Sequence, residues 1–131
     1  MSNKIQLKLE ILTDKKVYEI EEPIRIKILL KNTSNDKLTL TFRSAKIVDI
    51  NLLDKNKKLI KRWSEGKFFA QMINDLTLEP NETVEKTITW NVFRETLVTP
   101  GEYYIEVFVK AFQGEVSSNP IKISIINKKT N

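Results

Sequence analysis

Few side chains in this sequence could carry covalent or acid–base chemistry. Its 131 residues include no histidine and no cysteine. That removes the His general base, the Ser-His-Asp triad, the Cys nucleophile, the zinc finger and the disulfide staple. What remains is Ser64 with Lys61 on one side and Lys67 on the other, residue types that could form a Ser-Lys dyad. Such a dyad needs a buried setting that lowers the lysine pKa, and the polar run around Ser64 supplies none. Glu19, Glu21 and Glu22 crowd before Pro23 and raise the thought of calcium. The Asp-x-Asp spacing of a calcium loop does not accompany them, so a solvated loop is the plainer reading. Lys55, Lys57, Lys58, Lys61 and Arg62 form the densest basic cluster, with Trp63 beside it. An anionic partner is one reading and a solvated Lys-rich hairpin the other, favoured by Asp54 nearby. Three glycines in the whole chain leave little for a phosphate-cradling loop. No catalytic residue, metal ligand or cofactor is therefore assigned, and binding or structural roles come to the front.

Charge narrows the partners further. Lys+Arg 22 against Asp+Glu 17 gives a formal net charge of +5, a weak preference for acidic surfaces. Arginine stands only at Arg25, Arg43, Arg62 and Arg94, whereas bidentate phosphate and base contacts favour arginine over lysine. Nucleic acid is accordingly an unfavoured partner. The opening Met1-Ser2-Asn3-Lys4 runs straight into the alternating Ile5-Gln6-Leu7-Lys8-Leu9 and never builds the apolar core of a signal peptide. No apolar run approaches the length of a membrane span. A soluble, cytoplasmic protein is expected, and the absence of cysteine suits a reducing compartment.

The elements that must position these side chains are strands. Period-2 alternation recurs along most of the chain. Ile5, Leu7, Leu9 and Ile11 share one face, with Lys4, Gln6, Lys8 and Glu10 opposite, before a turn at Thr13-Asp14-Lys15-Lys16. Ile24, Ile26, Ile28 and Leu30 follow Pro23 as a central strand. Leu38, Leu40 and Phe42 form a third, and Val48, Ile50 and Leu52 a fourth, which ends at Asp54-Lys55-Asn56-Lys57-Lys58, where Asn56 suits a positive φ. Leu59 to Trp63 has no settled phase, and from Ser64 to Thr77 alternation lapses altogether. Val84, Lys86, Ile88 and Trp90 resume it after the turn Leu78-Glu79-Pro80-Asn81-Glu82. Tyr103, Ile105, Val107 and Val109 follow Thr99-Pro100-Gly101, and Ile121, Ile123 and Ile125 precede a solvated Lys-Lys tail.

About seven to eight short strands with regular turns predict an all-β chain, a single immunoglobulin-like Greek-key β-sandwich over residues 1–131. Tyr103, just after the turn into a late strand, is placed as the tyrosine corner of such sandwiches. Trp63, Trp90 and Phe42 are expected in the core. Lysines on outward faces discourage edge-to-edge pairing.

The stretch from Phe42 to Trp90 carries a resemblance. Phe42-Arg43-Ser44, Val48-Asp49-Ile50 with its charged hairpin, Arg62-Trp63-Ser64, Gly66 with Phe69-Ala70-Gln71, Leu78-Glu79-Pro80-Asn81-Glu82, Trp90 and Gly101-Glu102-Tyr103 occur in the order seen in one family. The chain resembles the intracellular proteinase inhibitors (BsuPI), with a family-like core over about residues 36–126. Two departures stand out: Asn81 where the family usually has Gly, and Lys61 where it often carries a further Trp. The resemblance implies a sandwich that inhibits a cytoplasmic subtilisin-like serine protease.

An inhibitor of the substrate-like kind must offer a rigid, protruding loop with a side chain for the protease's primary pocket. Ser64, Glu65, Gly66, Lys67 and Phe68 are the expected protein-binding loop, with Lys67 or Phe68 entering the pocket and Phe69, Met72 and Ile73 anchoring from beneath. The plainer reading is that Phe68 and Phe69 close one end of the sandwich. The expected function is steric occlusion of an intracellular serine protease by a monomer that is not an enzyme. The alternative is a non-inhibitory immunoglobulin-like binding or accessory module.

Overall fold

A computed structural model describes residues 5–129. Lys4 of the first expected strand, with the three residues before it, and the last two residues of the Lys-Lys tail lie outside the described residues. Eleven strands and one 3-10 turn make up the fold, and no α-helix occurs among the described residues. The strands are β1 (Leu7–Thr13), β2 (Val17–Glu19), β3 (Ile24–Asn32), β4 (Leu38–Phe42), β5 (Asp49–Leu53), β6 (Leu59–Arg62), β7 (Asn74–Leu78), β8 (Thr83–Trp90), β9 (Gly101–Ala111), β10 (Gly114–Ser117) and β11 (Ile121–Ile126).

One sheet has the order β1-β3-β8, and the larger has β2-β11-β9-β5-β6 with β10 added to the end of β9. β4 and β7 form a separate two-stranded ribbon. Alternation dictates the layering. Leu7, Leu9 and Ile11 of β1 and Ile24, Ile26, Ile28 and Leu30 of β3 turn inward, as do Tyr103, Ile105, Val107 and Val109 of β9 and Ile123 and Ile125 of β11. They meet in one apolar cluster that also takes in Trp90, Tyr18 and Leu40. Full burial of each large side chain contributes about 1.5–3 kcal/mol before entropy is subtracted. The result is the expected all-β, immunoglobulin-like sandwich, with β3 at the centre of its sheet.

The strand count exceeds expectation because three strands lack an alternation long enough to read. β2 has three residues and pairs parallel to β11. β10 returns from β9 through the tight Phe112-Gln113 turn, which has no Asn-Gly signature. β7 begins in the segment where the pattern lapsed, ends on the first residue of the expected Leu78 turn, and pairs with β4 from Leu38↔Leu78 to Phe42↔Asn74. In the β5–β6 hairpin the positive φ falls on Lys57 (65°), one residue beyond Asn56. Asp54 explains this: its Oδ1 accepts the amides of Asn56 (2.8 Å) and Lys58 (2.9 Å), which fixes the turn independently of any asparagine at the left-handed position.

The Tyr103 hydroxyl donates to the Thr99 carbonyl at 2.5 Å, closing the tyrosine corner. Asn81 takes φ 65°, the left-handed conformation its place in the Pro80 turn requires. Trp90 is buried, whereas Trp63 is only half-buried, at the margin of the core.

Candidate functional site

The loop from Trp63 to Ile73 joins the edge strand β6 to β7. It begins as a turn in which Gly66 takes φ 77°, with open space where a Cβ would stand. Its first half is fastened at three points. Asp49, 1% exposed, accepts from the Ser64 amide (3.1 Å), the Ser64 hydroxyl (2.6 Å) and the Ile50 amide (2.9 Å), and pairs with Lys46 Nζ at 3.0 Å. A buried carboxylate is stable only with its lone pairs engaged in this way. Glu65 reaches back to accept the Arg62 amide at 2.8 Å, while its own amide donates to the Arg62 carbonyl at 3.1 Å. Lys67 Nζ donates to the Trp63 carbonyl at 2.7 Å, pairs with Glu95 at 3.1 Å and lies 5.3 Å from the centre of the Trp63 ring. Glu95 in turn accepts the indole N–H of Trp90 at 3.0 Å, so the lysine is linked through one carboxylate to a core side chain.

Beyond Lys67 the loop turns apolar and outward. Phe68 is 100% exposed, while Phe69 packs against Trp63 with ring centres 5.6 Å apart. The plainer reading, that both phenylalanines close the sandwich, fails for Phe68. The expected anchor is also corrected: Phe69 alone packs beneath, because Met72 (58%) and Ile73 (72%) face solvent. The Ala45 amide, in the β4–β5 loop, donates to the Ala70 carbonyl at 2.9 Å and holds that loop alongside. Beside them a cleft of about 570 Å³ is lined by Arg43, Lys46, Asp49, Phe108, Lys110 and Phe112, among others.

The remaining candidate side chains are brought into other arrangements. No Ser-Lys dyad forms: Ser64 is held by Asp49, Lys67 by Trp63 and Glu95, and Lys61 stands 3.8 Å from Glu65. Members of the basic cluster are engaged by neighbouring side chains. Arg62 Nε donates to Asn51 at 3.0 Å and its guanidinium lies over Phe108, while Lys57 lies over Tyr104. The glutamates before Pro23 are also divided: Glu22 pairs with Lys15 and accepts the Glu19 amide, Glu19 accepts the Lys129 amide, and Glu21 stands 3.8 Å from Lys128. Lys15 holds the Glu22 carboxyl below the ordinary carboxylate range. Among the described residues no group of three or more Asp and Glu side chains comes together in a way that could hold a metal ion, and no helix is long and apolar enough to cross a membrane.

Sequence reasoning missed Asp49, Glu65 and Glu95 as the fasteners of the loop. Asp49 alternates with Val48 and Ile50 and so reads as a solvent-facing residue. It is buried because β5 is an inner strand, between β9 and β6, with both faces covered. Glu95 is 28 residues from its lysine, a separation at which one sequence carries no signal.

Solved structures similar to this chain share its fold at low identity. The C-terminal domain of wzt aligns with a TM-score of 0.62 at 8% identity, covering 96% of this chain and 77% of that one. Spo0M, a sporulation control protein from Bacillus subtilis, aligns at 0.56 and 15%, covering 92% and 49%. The CARDB domain of the PF1109 protein from Pyrococcus furiosus, solved with di-metal ions, aligns at 0.52 and 17%, covering 93% and 94%. No curated protein sequence matches the chain significantly. The family model described as BsuPI, intracellular proteinase inhibitor, matches residues 11–114, and by that match the chain belongs to the intracellular proteinase inhibitor family.

Proposed function

We propose that the chain inhibits an intracellular serine protease of the subtilisin-like kind by seating the Ser64–Phe68 loop in the protease's substrate cleft. The observation that carries this reading is one of contrast: Phe68 is wholly exposed immediately after a turn fastened to Asp49, Glu65 and Glu95. A side chain offered from a rigid base binds without the entropy cost of ordering a mobile segment. Blockage is steric, through a patch of roughly 800 Å² per partner, with no chemistry by this chain. The reading takes residues 1–131 as one domain, acting as a cytoplasmic monomer that is not an enzyme and needs no cofactor.

Titrating the protein into a subtilisin-like protease and following hydrolysis of a small peptide substrate tests it. The expected result is activity that falls linearly to near zero at one equivalent. Full activity across several intracellular serine proteases would instead leave the chain as a non-inhibitory binding module.

A further inference from the structure

Resting on the inhibitor reading, we infer that Phe68 is the side chain that fills the primary pocket, that Lys67 is a strut and not a specificity residue, and that the target protease has an apolar primary pocket. The two neighbours differ in how much of each is free to leave the molecule. Lys67 Nζ is held by the Trp63 carbonyl (2.7 Å), both Glu95 carboxylate oxygens (3.1 and 3.2 Å) and the Trp63 ring. Swinging it into an acidic protease pocket would break all of these contacts. It would also leave Glu95 shared only with the Trp90 indole, close to the core. Phe68 makes no comparable contact and is 100% exposed. A bare phenylalanine leaves a large apolar surface in water and gains free energy when an apolar socket covers it.

The rest of the loop agrees in character. Met72 and Ile73, the next large apolar side chains after Phe69, are 58% and 72% exposed, so with Phe68 they give the surface beyond Lys67 three bare apolar side chains beside the exposed Gln71. Gly66 at φ 77° completes the turn that separates the fastened half of the loop from this exposed half. Lys67 thus spends its charge on the turn, and Phe68 is presented by it.

The experiment compares inhibition constants of the wild-type chain and of Phe68→Ala, Phe68→Lys and Lys67→Met. Each is measured against a subtilisin-type enzyme with an apolar primary pocket and a trypsin-type enzyme with an acidic one, with melting temperature recorded for every variant. The wild type is expected to inhibit the apolar-pocket enzyme. Phe68→Ala is expected to weaken that inhibition about a hundredfold at unchanged melting temperature. Phe68→Lys is expected to shift the preference toward the acidic pocket. Lys67→Met is expected to lower the melting temperature while leaving the pocket preference as it was.

A Phe68→Ala inhibition constant within about twofold of wild type, or a wild-type preference for the acidic pocket that Lys67→Met abolishes, overturns the assignment and leaves the inhibitor reading standing. If wild type inhibits neither enzyme, the inhibitor reading falls and the assignment falls with it.

Discussion

At the scale of single residues, the molecule depends on a few buried polar groups whose partners are fully specified. Asp49 has the most to lose, because its carboxylate is out of water and answers to Lys46, the Ile50 amide and both donors of Ser64. Asp49→Ala strands the Ser64 donors and Lys46, so a loss of about 3 kcal/mol in a urea titration is expected. Tyr18 is the second such group. Its hydroxyl donates to Asp14 at 2.5 Å and accepts the Lys15 amide at 3.1 Å. Burial, then the bond to Asp14, push its pKa from 10.0 up to about 12. The unfolded chain therefore gives up this proton first. The stability Tyr18 contributes is fully present below pH 10 and is lost as the pH rises from about 10 to about 12. Tyr18→Phe is expected to cost about 1 kcal/mol at pH 7. It should also flatten the fall in stability over that alkaline range relative to wild type, as read from melting curves taken at several pH values.

At the scale of elements, side-chain hydrogen bonds hold the strand ends where the ladders stop. Asn32, at the end of β3, donates to the carbonyls of Asp36, Leu78 and Glu79 and accepts from the amide and hydroxyl of Ser34. One buried side chain thereby joins the β3–β4 loop to the β7–β8 turn. Asn32→Ala leaves these carbonyls facing a cavity, and a loss of about 3 kcal/mol is expected in denaturant unfolding.

The long strands were legible in the sequence because an inward face repeats every second residue. Ile24, Ile26, Ile28 and Leu30 announce β3, and the Tyr103 series announces β9. β2 and β10 were not, since three or four residues cannot display a period. β7 was hidden for another reason. In Asn74-Asp75-Leu76-Thr77-Leu78 only Leu78 is fully buried, so a strand at the margin of the core carries half a signal. The Asn81 turn was readable from the Pro-Asn pair. The hairpin at Asp54 was readable as a turn but not in its conformation, because the aspartate's acceptor and not the asparagine sets where the positive φ falls.

At the scale of the whole molecule, the sandwich is a frame that holds one loop away from its core. The loop itself was legible as the place where alternation stops and apolar residues do not. The way it is fastened was not, because Asp49 and Glu95 reach it from β5 and from the 3-10 turn after β8, and only the fold makes them neighbours. If the loop is the contact we propose, weakening the hold on Lys67 is therefore expected to act at a distance from it. Glu95→Gln weakens the hold on Lys67 and should raise the inhibition constant several-fold by loosening the loop, with a melting temperature within a few degrees of wild type.

The most direct test is competition for the protease's cleft. A subtilisin-like protease whose primary pocket and adjoining subsites are filled by a covalently bound peptidyl chloromethyl ketone is mixed with this chain in a calorimeter, beside the unblocked enzyme. Occlusion through the Ser64–Phe68 loop predicts binding to the free enzyme and none to the blocked one. Equal heat and equal affinity for both would contradict it, placing the contact outside the cleft.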